Sequence, residues 1–145
     1  EDDGKDFYMV NLLDRNESPK TMEATGEGAT SLDLQMHYME YMWPQQFKRA
    51  SHPVFFAYVS NPALDIVAAQ GMEEWDLVVI FRYRSRRDLF EIGMNPIFEE
   101  RHEYKVEALD KTIAIPVETP FATDLRFILF VFLLLIGLLI DRIRS

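Results

Sequence analysis

The stretch Phe127–Ile140 (FILFVFLLLIGLLI) places fourteen consecutive uncharged residues near the end of a chain whose formal charge is −9. A helix that is apolar all round has no face to show to water, so lipid, another protein or a large core has to surround it. The rest of this chain is too small to supply such a core. At about 1.5 Å per residue the run reaches roughly 21 Å, against a hydrocarbon layer of about 30 Å, and a span therefore has to recruit its flanks. Thr119 offers an N-cap and Pro120 a first helical position; a helix from there to Ile143 sets Arg126 and Arg142 at opposite interfaces, where long basic side chains reach the headgroups. The expectation is one transmembrane helix within residues 119–145, its apolar body including Phe127, Phe130, Leu133, Leu134, Ile136 and Leu139. Gly137 is the only glycine in the run, so a GxxxG self-association face is missing.

Residues 1–118 are enough for one compact domain and too few for two. Their acidity argues against a nucleic-acid partner, because phosphate neutralisation needs a basic face and the one cluster (Arg82, Arg84, Arg86, Arg87) is short. With no cysteine, disulfides and thiolate chemistry are excluded. Arg142 and Arg144 follow the apolar run and only Arg126 precedes it, which places the C-terminus in the cytoplasm. The Glu1-Asp2-Asp3 start resembles a mature end left by signal cleavage. Both point to a bacterial inner-membrane, single-pass protein with a periplasmic domain.

Hydrophobic period divides that domain. Phe7–Leu13 reads as a strand apolar on both faces, with Met9, Asn11 and Leu13 on one and Tyr8, Val10 and Leu12 on the other. Residues 14–31 are rich in Glu, Gly, Ser and Thr and read as a long loop. Ser31 caps a helix to about Ala50 that carries Leu34, Tyr38, Tyr41 and Met42, with Pro44 expected to kink or divide it. Val54–Val59 and Asp76–Arg84 are strands, separated by an Asn61-Pro62 break and a polar stretch. Ser85 caps a helix from Arg86 to about Met94, and Pro96 opens another through Leu109. Thr112–Val117 closes the domain as a strand whose Pro116 suits a sheet edge. The order βαββαβ is the ferredoxin-like α+β arrangement: a four-stranded antiparallel sheet with helices on one face and the other face left to be covered.

The chain resembles the small bacterial proteins of uncharacterised function in the dimeric α+β barrel superfamily. The resemblance runs through Met9-Val10-Asn11-Leu12-Leu13, Tyr38-x-x-Tyr41-x-x-Pro44, Trp75-Asp76, Arg82-Tyr83-x-Ser85-Arg86, Asn95-Pro96-x-Phe98 and Ala108-Leu109. It implies the fold and pairing of two copies through the open sheet face. The chain departs from that pattern at His52-Pro53 in place of a Gly-Gly pair, at Arg84 in place of proline, at Lys105 in place of arginine, and in its C-terminal anchor. The superfamily hosts monooxygenases, isomerases, haem enzymes and proteins of no known chemistry, so activity does not follow from the likeness.

Central strands one and three suggest that Asn11 and Arg82 meet in an apolar pocket with His37, Tyr38 and Tyr41; the bland alternative pairs Arg82 with Glu91 or Glu107. Met36, His37 and Met39 have the soft-ligand composition of a copper site, although a methionine stripe is more often deformable core. No acid–base pair, HxxxH, carboxylate triad or phosphate-binding glycine loop is present, so no cofactor and no catalytic residue is expected. Two functional readings follow. The favoured one is a non-catalytic accessory or assembly subunit of a larger membrane complex, bound through the open sheet face and the helix. The other is a membrane-tethered small-molecule-binding protein, or a cofactor-independent oxygenase or isomerase, with its pocket in the α+β barrel.

Overall fold

The structure, a computed structural model, describes residues 4–60, 74–118 and 125–144. The expected Asn61-Pro62 break, the Thr119-Pro120 helix start and the first three residues lie outside the described residues. β1 (Phe7–Arg15), apolar at both parities, takes a central place in a sheet ordered β2-β3-β1-β4, with β2 at His52–Tyr58, β3 at Leu77–Tyr83 and β4 at Leu109–Val117. Every pairing is antiparallel. Helices α1 (Ser31–Lys48), α2 (Arg86–Gly93) and α3 (Pro96–Glu107) complete the βαββαβ order, and α4 (Leu125–Arg144) follows. This is the ferredoxin-like α+β fold. β4 starts earlier than the sequence suggested, since Leu109 pairs with Arg15 past a bulge at Asp14/Arg15 and so belongs to the sheet rather than to α3.

Two expectations for α1 need correction. Thr30, not Ser31, is the N-cap: its side chain accepts from the Asp33 amide, and the Asp33 carboxylate accepts from the Thr30 amide at 2.8 Å. Ser31 instead donates its hydroxyl to the Asn16 carbonyl, tying the helix to the loop before it. Pro44 does not divide the helix, which runs through it unbroken. The Glu40 carbonyl loses its helical donor there, yet buried Tyr38, Tyr41 and Met42 on one side and buried Gln46 on the other hold both halves against the sheet. Phe7, Tyr38, Tyr41, Met42, Tyr83 and Ile92 form the main core cluster, with Phe7 and Tyr83 stacked at 5.5 Å. The long loop is pinned to α3: Lys20 and Ala24 donate their amides to the Glu107 carboxylate (2.7 Å) and the Tyr104 hydroxyl (3.1 Å). Its tight Met22–Gly26 turn uses the left-handed φ of +77° that glycine adopts without strain.

Ser85 caps α2 as expected, accepting from the Asp88 amide at 3.1 Å. The buried Asp88 carboxylate then receives a two-pronged grip from Arg84, Nε–Oδ2 at 2.7 Å and Nη2–Oδ1 at 2.8 Å. Arg84's hydrogen bond, more than its charge alone, holds the Asp88 pKa below the usual carboxylate value. A depressed folded pKa contributes stability that is fully present above the unfolded value of about 3.9 and is lost as pH falls through the folded one. Asp88→Asn is therefore expected to lower the melting temperature at pH 7, and the gap from the unsubstituted chain should close on titration toward pH 3. A gap constant with pH would mean that the loss is steric.

Side-chain alternation gives the sheet two different faces. Phe7, Met9, Asn11, Leu13, Leu77, Val79, Phe81 and Tyr83 share one face, because cross-strand partners project to the same side, and the helices cover it. The opposite face carries two apolar rows, Phe55–Ile80–Val10–Ile115 and Ala57–Val78–Leu12–Ile113. No helix packs on it among the described residues.

α4 is a single uninterrupted helix of 20 residues. From Ile128 to Ile143 every described side chain except half-buried Val131 is exposed, on all sides of the axis. Core burial of this rod against the rest of the described fold is thereby excluded. Among the described residues no helix is long and apolar enough to cross a membrane. The expected transmembrane helix from Thr119 is thus not what the structure describes: α4 begins at Leu125, and Arg126, Asp141 and Arg142 bound its uncharged stretch at fourteen residues.

Candidate functional site

A cavity of about 350 Å³ lies between α1 and the helix-covered face of the sheet. Its walls are mostly apolar, with Met36, Met39, Met42 and Trp43 from α1 facing Leu13, Phe56, Leu77, Val79 and Phe81 from the strands. Methionines in such numbers make a wall that adapts to ligand shape. A wider polar cleft of about 720 Å³ sits among the loop residues around Asp14–Pro19 and Gly28–Leu32, and its lining offers little apolar surface.

Few polar groups reach the cavity. Asn11 is oriented by its own amide, which donates to the Met9 carbonyl at 3.1 Å and to the Val79 carbonyl at 3.2 Å. Gln46, only 1% exposed, donates Nε2 to the Tyr83 hydroxyl at 3.1 Å. Its Oε1 and the Nε2 of Gln35 have no hydrogen-bond partner among the described residues. Burial pushes the Tyr83 hydroxyl pKa up, the Gln46 hydrogen bond partly opposing it, and burial pushes Tyr38 up further. Both phenols stay neutral donors at physiological pH. Lys105 reaches the cavity from α3, with its amine 5.6 Å from the Tyr38 ring centroid. Desolvation lowers its pKa, and no carboxylate among the described residues lies within ion-pair distance.

The sequence-predicted residues do not converge. Asn11 and Tyr38 line the cavity. Arg82 does not, because it pairs in register with Tyr8 and therefore projects from the opposite face to Asn11, which pairs with Val79. Its guanidinium bonds Asp6 at 2.9 Å and the Ala50 carbonyl at 3.1 Å, so the structural role belongs to it, though with neither Glu91 nor Glu107. Those two acids pair instead with Arg87 and Lys20. Tyr41 is core beneath α2, donating to the Ile92 carbonyl at 3.1 Å. His37 faces α3: Arg101 Nη1 stands 2.8 Å from both ring nitrogens, and Tyr104 packs at 4.3 Å between ring centroids. Desolvation and then Arg101 lower the His37 pKa, leaving a neutral ring at pH 7. Met36 and Met39 line the cavity while His37 does not, so the three copper-type ligands are not assembled.

Lys105, Arg15, Gln46, Gln35 and Tyr83 were missed as lining groups. A signal existed for one of them. Lys105 lies seven residues after Phe98 and three before Ala108 on a helical repeat, which puts it on the inward stripe of α3. The glutamines carried no such mark, since a polar residue on a helix is ordinarily solvated.

No protein-family model and no curated protein matches the chain. Among solved structures it is similar to a protein of unknown function from Rhodopseudomonas palustris, with TM-score 0.66, 19% identity, and 83% of this chain and 87% of that one covered. The methylated form of that protein gives TM-score 0.67 at 19% identity, with coverage of 85% and 86%. A protein from Mycobacterium tuberculosis superposes at TM-score 0.50 with 12% identity, over 83% of this chain and 100% of that one. At such identities the likeness establishes the fold and nothing about chemistry.

Proposed function

We propose that the chain binds a small, largely apolar molecule in the cavity between α1 and the sheet, at a membrane in which α4 is seated. The observation that carries the reading is the cavity itself. A partly open, mostly apolar cavity of ligand size, with a few fixed polar groups and buried amide atoms left without partners, is the usual build of a small-molecule site. That observation favours the ligand-binding reading over the accessory-subunit role, which rested on the absence of a catalytic constellation and on the added helix. Seating in lipid is supported by the exposure, on all sides, of every described α4 side chain except Val131; the helix's 20 residues span about 30 Å. Arg142 and Arg144 beyond the run, against Arg126 before it, favour a cytoplasmic C-terminus and a periplasmic domain in a bacterial inner membrane. The open face of the sheet pairs with a second copy.

Calorimetry tests the cavity. The full chain in lipid nanodiscs, titrated with neutral 1-acetylnaphthalene against empty discs, is expected to show saturable binding. Met39→Trp, which fills the cavity from α1, should weaken that binding by about tenfold or more, as loss of a buried apolar contact of this size predicts. Exposed Phe90→Ala serves as the control. Equal binding to Met39→Trp and to the unsubstituted chain would overturn the assignment.

A further inference from the structure

We propose that the ligand of this cavity carries one anionic group, a carboxylate or its equivalent, on an otherwise apolar body, and that Lys105 is its counter-ion. The inference rests on the cavity reading above and adds the charge of what binds there. A lysine amine is rarely desolvated without a partner, because taking an ammonium out of water costs several kcal/mol that only an opposite charge or a hydrogen-bond set recovers. Lys105 approaches that position, since the residue is half-buried at the cavity wall and burial lowers its pKa. It lines the cavity, it has no carboxylate in reach among the described residues, and its one stabilising neighbour among them is the π-face of Tyr38. The Tyr38 ring favours the charged form of the amine. Of the acidic neighbours along α3, Glu107 is committed to Lys20 and to the Lys20 amide of the loop.

The other polar groups in the wall suit the same ligand. Tyr83, neutral and already accepting from Gln46, and the orphaned donor of Gln35 can each give a hydrogen bond to an anion's second oxygen, while no carboxylate lines the cavity to repel it. The apolar remainder of the wall sets the rest of the ligand: Met36, Met39, Trp43, Phe56 and Phe81 offer flat and deformable surface to a ring or short chain. Arg15, the other basic side chain of the wall, stands 5.9 Å over the Tyr58 ring, and a cationic ligand would meet both it and Lys105.

A charged and neutral probe pair decides it. The full chain in nanodiscs is titrated with 1-naphthoate and with 1-acetylnaphthalene, which differ in charge and little in shape. The chain is expected to bind the naphthoate more tightly by about tenfold to a hundredfold, the range set by one charge-assisted hydrogen bond in a desolvated site. Lys105→Met should erase that preference while leaving the affinity for acetylnaphthalene within about twofold. Lys105→Arg should keep the preference, and it covers the case of a Lys105→Met chain whose circular dichroism shows a lost fold. A naphthoate preference that survives in Lys105→Met, or no preference in the unsubstituted chain while acetylnaphthalene binds, overturns the charge assignment alone. Absence of binding by both probes overturns the cavity reading and this inference with it.

Discussion

Substituting Leu133 and Ile136 together by aspartate is expected to release the chain from the membrane. Each replacement removes a residue worth about −0.3 to −0.6 kcal/mol at the centre of a membrane helix and installs one costing about 2.5–3.5 kcal/mol, so the pair shifts insertion by roughly 6–8 kcal/mol. That exceeds four orders of magnitude in partition. Both residues sit near the middle of α4, 57% and 37% exposed, and neither belongs to the domain's core cluster, so the domain is expected to stay folded. Washed membranes from cells making either protein supply the measurement, with the unsubstituted chain resisting carbonate extraction and the double variant found in the supernatant. Extraction of the unsubstituted chain by carbonate alone would end the membrane reading. Protease added to spheroplasts then reports sidedness. Loss of the domain places it outside the cytoplasm, and full protection reverses the orientation.

The fold was legible because its signals are local and repetitive. Phe7–Leu13, apolar at both parities, announces a central strand, Ser85 and Pro96 announce helix starts, and the βαββαβ order leaves few topologies open. What local pattern failed to carry was the outcome of packing against something distant. Pro44 reads as a breaker in isolation, and only the buried residues on either side of it show why the helix continues through it. The site was half legible for the same reason. Asn11 and Arg82 were placed together because both sit on central strands, but the register Asn11↔Val79 and Tyr8↔Arg82 sends them to opposite faces. A one-residue difference in parity reverses a side chain's direction, and parity between strands is fixed by pairing rather than by either strand's own sequence. Tyr41 and His37 went astray differently. Their helix was right, but which part of its inner surface meets the sheet and which meets α2 and α3 depends on how α1 lies across the sheet.

Ile80→Asp is expected to convert a dimer into a monomer without unfolding it. Ile80 stands in the row Phe55–Ile80–Val10–Ile115, with Ala57–Val78–Leu12–Ile113 beside it, so the face presents eight apolar side chains and no charge along its centre. Leaving that area in water forgoes about 25 cal/mol per Å², and a second copy of the same face is complementary to it by symmetry. One substitution enters such an interface twice. Two uncompensated buried carboxylates at about 3–5 kcal/mol each weaken association by roughly four orders of magnitude or more. In the separated chain Ile80 is only half-buried and its outward face meets solvent, so the aspartate is hydrated there and the fold survives. Light scattering in mild detergent, corrected for the bound micelle, distinguishes the two masses, and circular dichroism checks the fold. Because the change lies on the sheet and leaves α4 intact, association through the helix predicts no change in mass. A monomeric unsubstituted chain, or an Ile80→Asp chain of unchanged mass, would show that something other than a second copy covers this face.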